Sequence, residues 1–498
     1  MSLSILIAAS EAVPFAKSGG LADVVGSLPK FLRKLGHDVR VVIPRYYLVD
    51  RERFTLKALP GVLVVPMGVL GNEYCGIYEG KLPGSDIPVY FLEHEGYFGR
   101  SGLYDEGNVE YVDNDRRFIF LSKASLELCR MLDFHPDIVH ANDWHTAAIP
   151  LLLNTTYRHD AYVGRAASIL TIHNMQYQGI FPAATMNILD VGWDQFTFLG
   201  VEKDDQVNLL KGGINNATLL TTVSEGYAQE MQTAAYGWGL EGVVRERSAD
   251  LYGILNGVDY SEWSPETDPF LVQRYSADDL SGKNLCKVDV QRAVGLPELA
   301  DVPLFGIVSR MVKQKGIDVL AAALPKILQL DMQVVMLGEG EPWAHFYFGG
   351  EAAKHPERLA FVTGYDNALA HRIEAGADFF LMPSAFEPCG LNQMYSMRYG
   401  TLPVVRATGG LDDSVENFNE ERGTGTGFKF MDLNPDALFD TVGWAVYTWY
   451  NRPAALRRLI RNAMEKRFTW EAAAEKYQQL YLTALSRLGS RQTDSSPS

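Results

Sequence analysis

The chain alternates short apolar runs rich in β-branched residues with helical stretches, and it does so in two successive series. This alternation is typical of parallel sheets with crossover helices. The first series predicts strands at 4–9, 39–43, 89–92, 138–140, 167–173, 219–223 and 253–255. The second series predicts strands at 304–309, 332–337, 359–363, 379–382 and 403–405. The pattern therefore predicts an α/β fold with two sheets.

An irregular segment separates the two series. Residues 260–281 contain Pro265 and Pro269 and few apolar runs, which is typical of a crossover between domains. We therefore expect a first Rossmann-like domain over 1–262 and a second over 263–467. A predicted helix at about 468–490 completes the first domain, and the polar residues 491–498 are expected to be disordered.

Composition excludes several classes of function. The net charge of −16 argues against a nucleic-acid partner, whose phosphates need Lys and Arg. Apolar runs are too short to span a bilayer, and the first ten residues lack the basic start of a signal peptide. Four scattered cysteines without a C-x-x-C pair argue against disulfides or a cysteine zinc site and fit a reducing cytoplasm. A neutral polymer or a diphosphate remains compatible with this composition.

A lysine and two glycines lie between the first strand and its helix, in Lys17-Ser18-Gly19-Gly20-Leu21. Paired glycines let backbone approach a ligand closely, and a helix start favours anions. The spacing matches neither a dinucleotide fingerprint nor a P-loop, so it gives no support to a dehydrogenase or ATPase. The alternative is a tight turn with a solvated lysine.

Two cations follow the first strand of the second series. Arg310 and Lys315 lie beside Gly316 at the end of that strand, where two positive charges could neutralise a diphosphate leaving group. An exposed basic turn is the alternative.

The densest motif is Ser-Ala-Phe-Glu-Pro-Cys-Gly-Leu at 384–391, which follows the apolar strand at 379–382. Pro388 and Gly390 predict a sharp turn whose free amides can face a phosphate. Glu387 is placed to bind sugar hydroxyls or to stabilise positive charge on a sugar ring; the alternative is a helix-capping carboxylate. The glycine pair at 409–410 predicts a second loop of close approach.

Polar and aromatic side chains also follow two strands of the first series, at 140–145 and 173–179. Such groups suit sugar recognition, because a ring can stack while amides and imidazoles bond hydroxyls. A metal site is the alternative, but its spacing matches no established motif, so we predict no metal. The triplet at 113–115 is expected to be a solvated helix start rather than an ion site. The candidate metal ligands of the alternative are His140, Asp143, His145 and His173.

Taken together, the motifs K-S-G-G-L-A-D-V-V-G-S-L-P, F-E-P-C-G-L and T-G-G-L resemble the bacterial glycogen synthase and plant starch synthase family. The resemblance covers nearly the whole chain. It implies a GT-B glycosyltransferase, with two Rossmann-like domains facing a central cleft. The implied reaction adds glucose from ADP-glucose to the non-reducing end of an α-1,4-glucan, with retention of configuration. No metal, cofactor, nucleic acid or membrane is implied.

The resemblance also implies roles for individual residues. Arg310 and Lys315 would hold the diphosphate, His173 would lie near the glucose 6-hydroxyl, and Glu387 would bind the 3- and 4-hydroxyls. Tyr365 would stack on the adenine. The implied donor-binding set also contains Lys17, Gly19, Gly20, Asn256, Cys389, Gly390 and Leu391. The residues implied around the sugar and acceptor are Asp23, Trp144 and Asn174.

One position departs from the wider superfamily, in which many relatives carry a second Glu eight residues after the first. That position is Tyr395, which makes a two-carboxylate mechanism doubtful. Front-face attack, with the departing phosphate taking the acceptor proton, is the implied chemistry. Two alternatives stay open: a glycogen phosphorylase, for which no pyridoxal-phosphate lysine motif is found, and a glucan-binding protein that has lost catalysis.

Overall fold

The computed structural model describes residues 2–107 and 109–494. The chain forms two compact units. Among the described residues, unit 1 comprises 2–223, 228–254 and 470–494, whereas unit 2 comprises 224–227 and 255–469. No helix in this described part of the chain is long and apolar enough to cross a membrane.

Unit 1 is built on a mixed sheet with the order β15-β14-β10-β9-β1-β2-β6-β5-β3 and with β4 paired to β5. Pairing is parallel from β15 to β6 and antiparallel at the β6-β5-β3 edge. The strands are β1 (Ser4–Ala8), β2 (Asp38–Pro44), β3 (Lys57–Ala58), β4 (Leu63–Pro66), β5 (Asn72–Lys81), β6 (Pro88–Glu93), β7 (Asp105–Glu106), β8 (Val109–Glu110), β9 (Ile138–Asn142), β10 (Ala167–Ile172), β11 (Ile180–Pro182), β12 (Glu202–Lys203), β13 (Gln206–Asn208), β14 (Leu219–Thr222) and β15 (Leu251–Gly253).

Helices cover the parallel part of this sheet, whose central strands are buried on both faces as a parallel sheet requires. The first helix buries an apolar stripe that includes Leu21, Val24, Val25, Leu28 and Leu32, at helical spacing. The helices are α1 (Gly20–Lys34), α2 (Glu95–Phe98), α3 (Asn114–Met131), α4 (Asp143–Thr146), α5 (Ala148–Asn154), α6 (Met186–Leu189), α7 (Leu209–Asn216), α8 (Glu225–Glu230), whose first three residues belong to unit 2, and α9 (Glu241–Glu246).

Unit 2 has a fully parallel sheet with the order β18-β17-β16-β19-β20-β21. Its strands are β16 (Leu304–Val308), β17 (Gln333–Gly338), β18 (Leu359–Thr363), β19 (Phe379–Met382), β20 (Leu402–Arg406) and β21 (Phe428–Phe430). Its helices are α10 (Ser281–Val294), α11 (Ile317–Ile327), α12 (Pro342–Lys354), α13 (Asn367–Gly376), α14 (Asn392–Arg398), α15 (Gly409–Ser414), α16 (Pro435–Asn451) and α17 (Pro453–Glu465).

The last helix, α18 (Trp470–Asp494), returns to unit 1. Its Tyr481 hydroxyl lies 2.9 Å from Nδ1 of His140 at the centre of the sheet, and its Gln478 bonds His37. Residues 491–494, expected to be disordered, are helical because α18 continues beyond the predicted end at 490. The remainder of the predicted tail, 495–498, lies outside the described residues.

The change from unit 1 to unit 2 occurs after Ile254, earlier than the predicted boundary at 262. The reason is hydrogen bonding. The Val258 amide donates to the Phe468 carbonyl, and the Phe468 amide donates to the Tyr260 hydroxyl, so this segment is tied to unit 2.

The α/β prediction with a parallel series of strands in each unit is confirmed, and most predicted strands agree with the observed ones within a residue or two. Besides the two main sheets, β11-β13-β12 and β7-β8 form two small antiparallel sheets. Two further expectations need correction. The strand predicted at 253–255 lies at 251–253. The triplet at 113–115 is not simply solvated, because Asn114 is buried and bonds the fully buried Arg117, while Asp113 pairs with Arg100.

Candidate active site

Each sheet reverses its strand order at one point, and ligands of open α/β sheets bind at the carboxyl ends of the strands there. In unit 1 the reversal lies between β1 and β9, and in unit 2 it lies between β16 and β19. The predicted site residues of unit 1 follow β1, β9 and β10. Most of those of unit 2 follow β16, β18 and β19.

A buried carboxylate organises the glycine loop of unit 1. Glu11, three residues after β1, is 3% exposed and accepts hydrogen bonds from the amide and hydroxyl of Ser18 and from the amide of Gly19. The Tyr104 hydroxyl donates to the same carboxylate. The negative charge therefore occupies the amino-terminal end of α1, where a helix favours an anion.

The two glycines of this loop face open space. A Cβ atom built on Gly19 or on Gly20 would meet no atom within 4 Å, and Gly19 has an extended backbone that any residue adopts. Neither crowding within the protein nor backbone strain explains glycine at Gly19. The observation fits a surface kept clear for a ligand, as the motif predicts.

Lys17 and Asp23 form an ion pair, with 2.7 Å between Nζ and Oδ1. Burial raises the pKa of the Asp23 carboxyl above its ordinary value, and the neighbouring Lys17 charge opposes that rise. The family resemblance implies that Lys17 contacts the donor and that Asp23 lies around the sugar and acceptor. The ion pair brings these two residues into direct contact.

His173 and Asp143 meet at the ends of β10 and β9. Asp143 adopts a left-handed backbone conformation (φ 54°). Its carboxylate accepts a hydrogen bond from the His173 backbone amide at 2.7 Å. Burial raises the pKa of Asp143 to about 7 and lowers the pKa of His173 to about 3. The His173 ring is therefore neutral at pH 7, and its Nε2–H donates to Asn142 Oδ1 at 3.0 Å.

Trp144 and Asn174 flank this pair. The Trp144 side chain is buried, where it packs edge-on against Phe118 and leaves no room for a Cβ atom at Gly179. The side-chain oxygen Oδ1 of Asn174 accepts a hydrogen bond from the Gln176 backbone amide at 3.0 Å. Both residues shape the loop after β10, and Trp144 does so from the protein interior.

The alternative of a metal site finds no support in this geometry. His140 uses both ring nitrogens on protein hydroxyls, those of Tyr481 and Thr171. Across residues 2–107 and 109–494, no group of three or more His, Cys, Asp or Glu side chains is arranged to hold a metal ion.

In unit 2, Glu387 and Lys315 form a close ion pair. The Lys315 Nζ lies 2.5 Å from Glu387 Oε2, and the Ser384 hydroxyl donates to the same oxygen at 3.1 Å. Glu387 is 6% exposed. Because β16 and β19 are adjacent, the loops that follow them bring together a carboxylate and a cation that are far apart in sequence.

Arg310 and Tyr365 are more exposed. Arg310 lies one residue after Ser309 and donates to Gln314 Oε1 at 3.3 Å. Tyr365 follows β18, is 71% exposed and donates its hydroxyl proton to Asn367 Oδ1 at 2.8 Å. Tyr365 therefore lies on the surface of unit 2, and its predicted stacking on the adenine stays a prediction.

Cys389 and Asn256 are brought together in the interior of unit 2. The N–H groups of Asn256 face the Cys389 sulfur, and burial raises the pKa of the thiol to about 12, so it stays protonated. The Asn256 Oδ1 is buried and has no hydrogen-bond partner among the described residues. An unpaired buried acceptor is costly in a protein.

A tight turn carries Gly390 and Leu391 past the second glycine loop. Gly390 has a positive φ of 69°, which favours glycine. A Cβ atom at Gly410 would lie 2.0 Å from the Cys389 carbonyl oxygen. The two loops therefore touch backbone to backbone, so packing within the protein requires glycine at Gly410, and the predicted approach of this loop to a ligand stays a prediction.

Tyr395 takes part in a stack instead of a charge pair. Its ring lies 4.0 Å from that of Trp263 with an interplanar angle of 2°, and Trp263 stacks in turn on His371 at 3.8 Å. Glu387 therefore has no second carboxylate at this position.

Sequence reasoning did not identify Glu11, Tyr104 or the pairing role of Asp143. A charged residue three positions after a buried strand was the available signal for Glu11. Tyr104 gave none, because its contact with Glu11 spans 93 residues and depends on tertiary structure.

Two α/β units with predicted sugar- and phosphate-binding residues at their switch points define a glycosyltransferase of the GT-B class. Residues 4–246 match the family model described as starch synthase catalytic domain, and 295–466 match glycosyl transferases group 1. The chain belongs to the bacterial glycogen synthase and starch synthase family, whose members are retaining enzymes.

Individual relatives cover nearly the whole chain. Glycogen synthase 1 of Geobacter sulfurreducens is 68% identical over 98% of this chain and 97% of its own length. Glycogen synthase of Treponema denticola is 43% identical over 98% of this chain and 100% of its own length. The solved catalytic domain of starch synthase IV from Arabidopsis thaliana, bound to ADP and acarbose, superposes with a TM-score of 0.90 at 34% identity, covering 98% of this chain and 100% of that one.

Proposed function

We propose that this chain transfers glucose from ADP-glucose to the non-reducing end of an α-1,4-glucan with retention of configuration. The observation that carries the proposal is the buried Glu387 carboxylate paired with Lys315 at the switch point of unit 2. A glycogen synthase 68% identical and the ADP bound to the related starch synthase support the polymer and the donor.

The residues of unit 2 account for the departure of the nucleotide. Arg310 and Lys315 neutralise the diphosphate as negative charge develops on it. Glu387 binds the transferred glucose and stabilises positive charge growing on its ring. Because Tyr395 supplies no second carboxylate, the acceptor hydroxyl attacks from the front face, and its proton passes to the departing phosphate.

The proposed residues of unit 1 lie after β1, β9 and β10, where they bind the donor and the sugar. Lys17 contacts the donor beside the open surface of Gly19 and Gly20. The neutral His173 lies near the glucose 6-hydroxyl, where an uncharged ring exchanges hydrogen bonds without adding charge. Asp23, Trp144 and Asn174 shape the sugar and acceptor side.

No metal or other cofactor takes part in this proposal, since Arg310 and Lys315 supply the neutralising charge. We also propose a cytoplasmic location, which the four free, buried cysteines support.

Incorporation of labelled glucose from ADP-glucose into glycogen tests the proposal, with and without EDTA. We expect glucose to be incorporated at the same rate in the presence and in the absence of EDTA. Activity that requires glucose 1-phosphate as donor would identify a phosphorylase instead. Glycogen binding without incorporation would identify a non-catalytic glucan-binding protein, and loss of activity in EDTA would contradict the metal-free mechanism.

A further inference from the structure

A stack of three rings lies in unit 2, and the proposed chemistry does not use it. Its central member is Trp263, in the crossover segment 260–281. The His371 ring, on α13, lies 3.8 Å from the indole at an interplanar angle of 10°, and the Tyr395 ring, on α14, lies 4.0 Å away at 2°. Two rings this close to one indole occupy its opposite faces. This Trp263 stack therefore joins the crossover segment to two helices.

A buried carboxylate holds one end of the stack. The Asp268 and His371 side chains are fully buried, with 2.7 Å between Oδ2 and Nδ1, and the Tyr399 hydroxyl donates to the same oxygen. Burial alone would raise the pKa of the Asp268 carboxyl, but the hydrogen bonds from His371 and Tyr399 lower it below its ordinary value. Asp268 is therefore ionised at pH 7 and fixes the orientation of the His371 ring.

Further contacts fasten the crossover segment to α14. The buried Arg398 guanidinium, in the last turn of α14, donates to the Ser264 hydroxyl at 3.1 Å and pairs with Glu266 at 3.0 Å. The Tyr275 hydroxyl donates to the Tyr399 carbonyl, directly after the helix, at 2.7 Å. The crossover segment is therefore a brace on α14 and not a loose connection.

Helix α14 begins directly after the turn of the candidate site. The Tyr395 amide donates to the Leu391 carbonyl at 3.0 Å, so the helix continues from the turn without a break. The fully buried Gln393 side chain donates from Nε2 to the carbonyls of Cys389 and Gly390, at 3.0 and 2.9 Å. The position of the first turn of α14 therefore determines the position of the turn that precedes it.

The same helix also contacts the strand that leads to the cations. The Asn392 side chain donates from Nδ2 to the carbonyl of Val308, the last residue of β16, at 2.7 Å. Arg310 follows two residues later. Helix α14 thus contacts the segments on both sides of the Glu387–Lys315 pair, and a shift of the helix would displace the two members of that pair relative to each other.

Tyr395 occupies the position at which many members of the wider superfamily carry a second glutamate. A carboxylate has no ring face with which to stack, and its desolvation against the indole would be costly. In this chain the position therefore supports α14 instead of presenting a charge.

We propose that the Trp263 stack positions the catalytic turn, with Trp263, His371 and Tyr395 as positioning residues. The three rings fix α14 and thereby hold Glu387 and the residues at 389–391 in the geometry that transfer requires. The inference rests on the proposed function, because that function gives Glu387 its role.

Leucine variants test the stack in glucose transfer. Trp263→Leu and Tyr395→Leu keep apolar bulk but remove one ring, at positions that are only partly buried. Because a displacement of about 1 Å can cost on the order of 100-fold in rate, we expect kcat with ADP-glucose to fall about tenfold in each variant. The KM for glycogen should stay within about twofold, because the residues predicted for the acceptor belong to unit 1.

Conservative variants provide the graded controls. Tyr395→Phe retains the ring and should keep kcat within about twofold of the wild type. Trp263→Phe keeps a smaller ring and should lower kcat about threefold, so the series stays informative if a leucine variant does not fold. Leu438→Ala, at a buried residue of α16, is the matched control for lost core packing and should lower Tm without changing kcat.

Hydrogen exchange followed by mass spectrometry measures the positioning without a transfer assay. In the leucine variants, peptides that cover 385–398 should take up deuterium about tenfold faster than in the wild type, whereas peptides that cover α16 should exchange at the wild-type rate. A merely structural role of the stack would instead increase exchange throughout unit 2.

Wild-type kcat in both leucine variants would overturn the inference, and so would an equal loss of kcat in Leu438→Ala. A Tyr395→Phe defect as large as that of Tyr395→Leu would also overturn it, because the hydroxyl and not the ring would then matter. Faster exchange throughout unit 2 would make the stack a structural element only. A wild-type enzyme that transfers no glucose would defeat the proposed function, whereas the exchange measurement would still test the stack.

Discussion

Glu387 is the residue on which the proposed chemistry depends. Glu387→Gln keeps the size and most hydrogen bonding of the side chain but removes the negative charge that the proposed mechanism places beside the sugar ring. An interaction realised mainly in the transition state lowers turnover more than ground-state binding. We expect kcat to fall on the order of 100-fold, with the Kd for ADP little changed.

The substitution also removes one member of the pair with Lys315, so thermal unfolding must show that the variant is folded. Near-normal turnover in a folded Glu387→Gln protein would contradict the assignment. A glucosyl ester trapped on wild-type Glu387 and detected by mass spectrometry would instead make it a nucleophile.

Lys17 tests the donor role of the unit 1 loop. Lys17→Gln removes one charge-assisted hydrogen bond, worth roughly 1.5–3 kcal/mol, so the KM for the donor should rise about ten- to 150-fold. Lys30→Gln, on the same helix α1, is the matched control and should leave donor kinetics unchanged. A Lys17→Gln enzyme whose only defect is a higher requirement for glycogen would show that this lysine serves the acceptor.

At the scale of elements, Lys283 joins the ends of two helices in unit 2. Its Nζ, on α10, donates to the carbonyls of Ala375 in the last turn of α13 and Tyr399 at the end of α14, and to the Thr401 hydroxyl. Helix ends leave carbonyls without partners, and here a buried cation satisfies two of them. Lys283→Met should lower the free energy of unfolding by about 2–4 kcal/mol at pH 7.

The pH dependence of this lysine has a defined sign. Burial lowers the pKa of Lys283 to about 8 in the folded protein, below the value of about 10.4 expected in the unfolded chain. Between these values the unfolded state binds more protons, so the Lys283 contribution to stability rises as pH increases from 8 to 10. Urea unfolding at several pH values measures it as the wild-type minus Lys283→Met difference. Lys326→Met, at an exposed lysine, should show no such rise, and a pH-independent Lys283 difference would contradict the argument.

The parallel strands could be predicted from sequence because each buried strand is a short apolar run bounded by polar residues. The edge strands β3 to β5 were not predicted. They are partly exposed, pair antiparallel and lack a continuous apolar signal. The loops of the candidate site could also be predicted, because glycine and proline are typical of turns and loops. Long-range pairs such as Lys315–Glu387 and Tyr104–Glu11 could not be predicted, because only the packed sheet brings their strand ends together.

At the scale of the whole molecule, each unit presents its predicted residues at its own switch point. The chain is strongly acidic, but a few basic residues lie at these switch points. They are Lys17 in one unit and Arg310 and Lys315 in the other. This distribution suits a small diphosphate and a neutral polymer, because neither needs the extended basic surface that a nucleic acid requires.

The choice of nucleotide is the property of the whole enzyme that the residues of unit 2 predict most directly. The cations bind phosphates and cannot distinguish bases, whereas the exposed Tyr365 ring offers a face on which the larger purine stacks better than a pyrimidine. We expect a much higher kcat/KM with ADP-glucose than with UDP-glucose. Tyr365→Ala should lose about 1–3 kcal/mol of donor binding and reduce that preference, whereas Tyr365→Phe keeps the ring and should retain both. Equal kcat/KM for the two donors in the wild type, or a Tyr365→Phe defect as large as that of Tyr365→Ala, would show that stacking does not select the base.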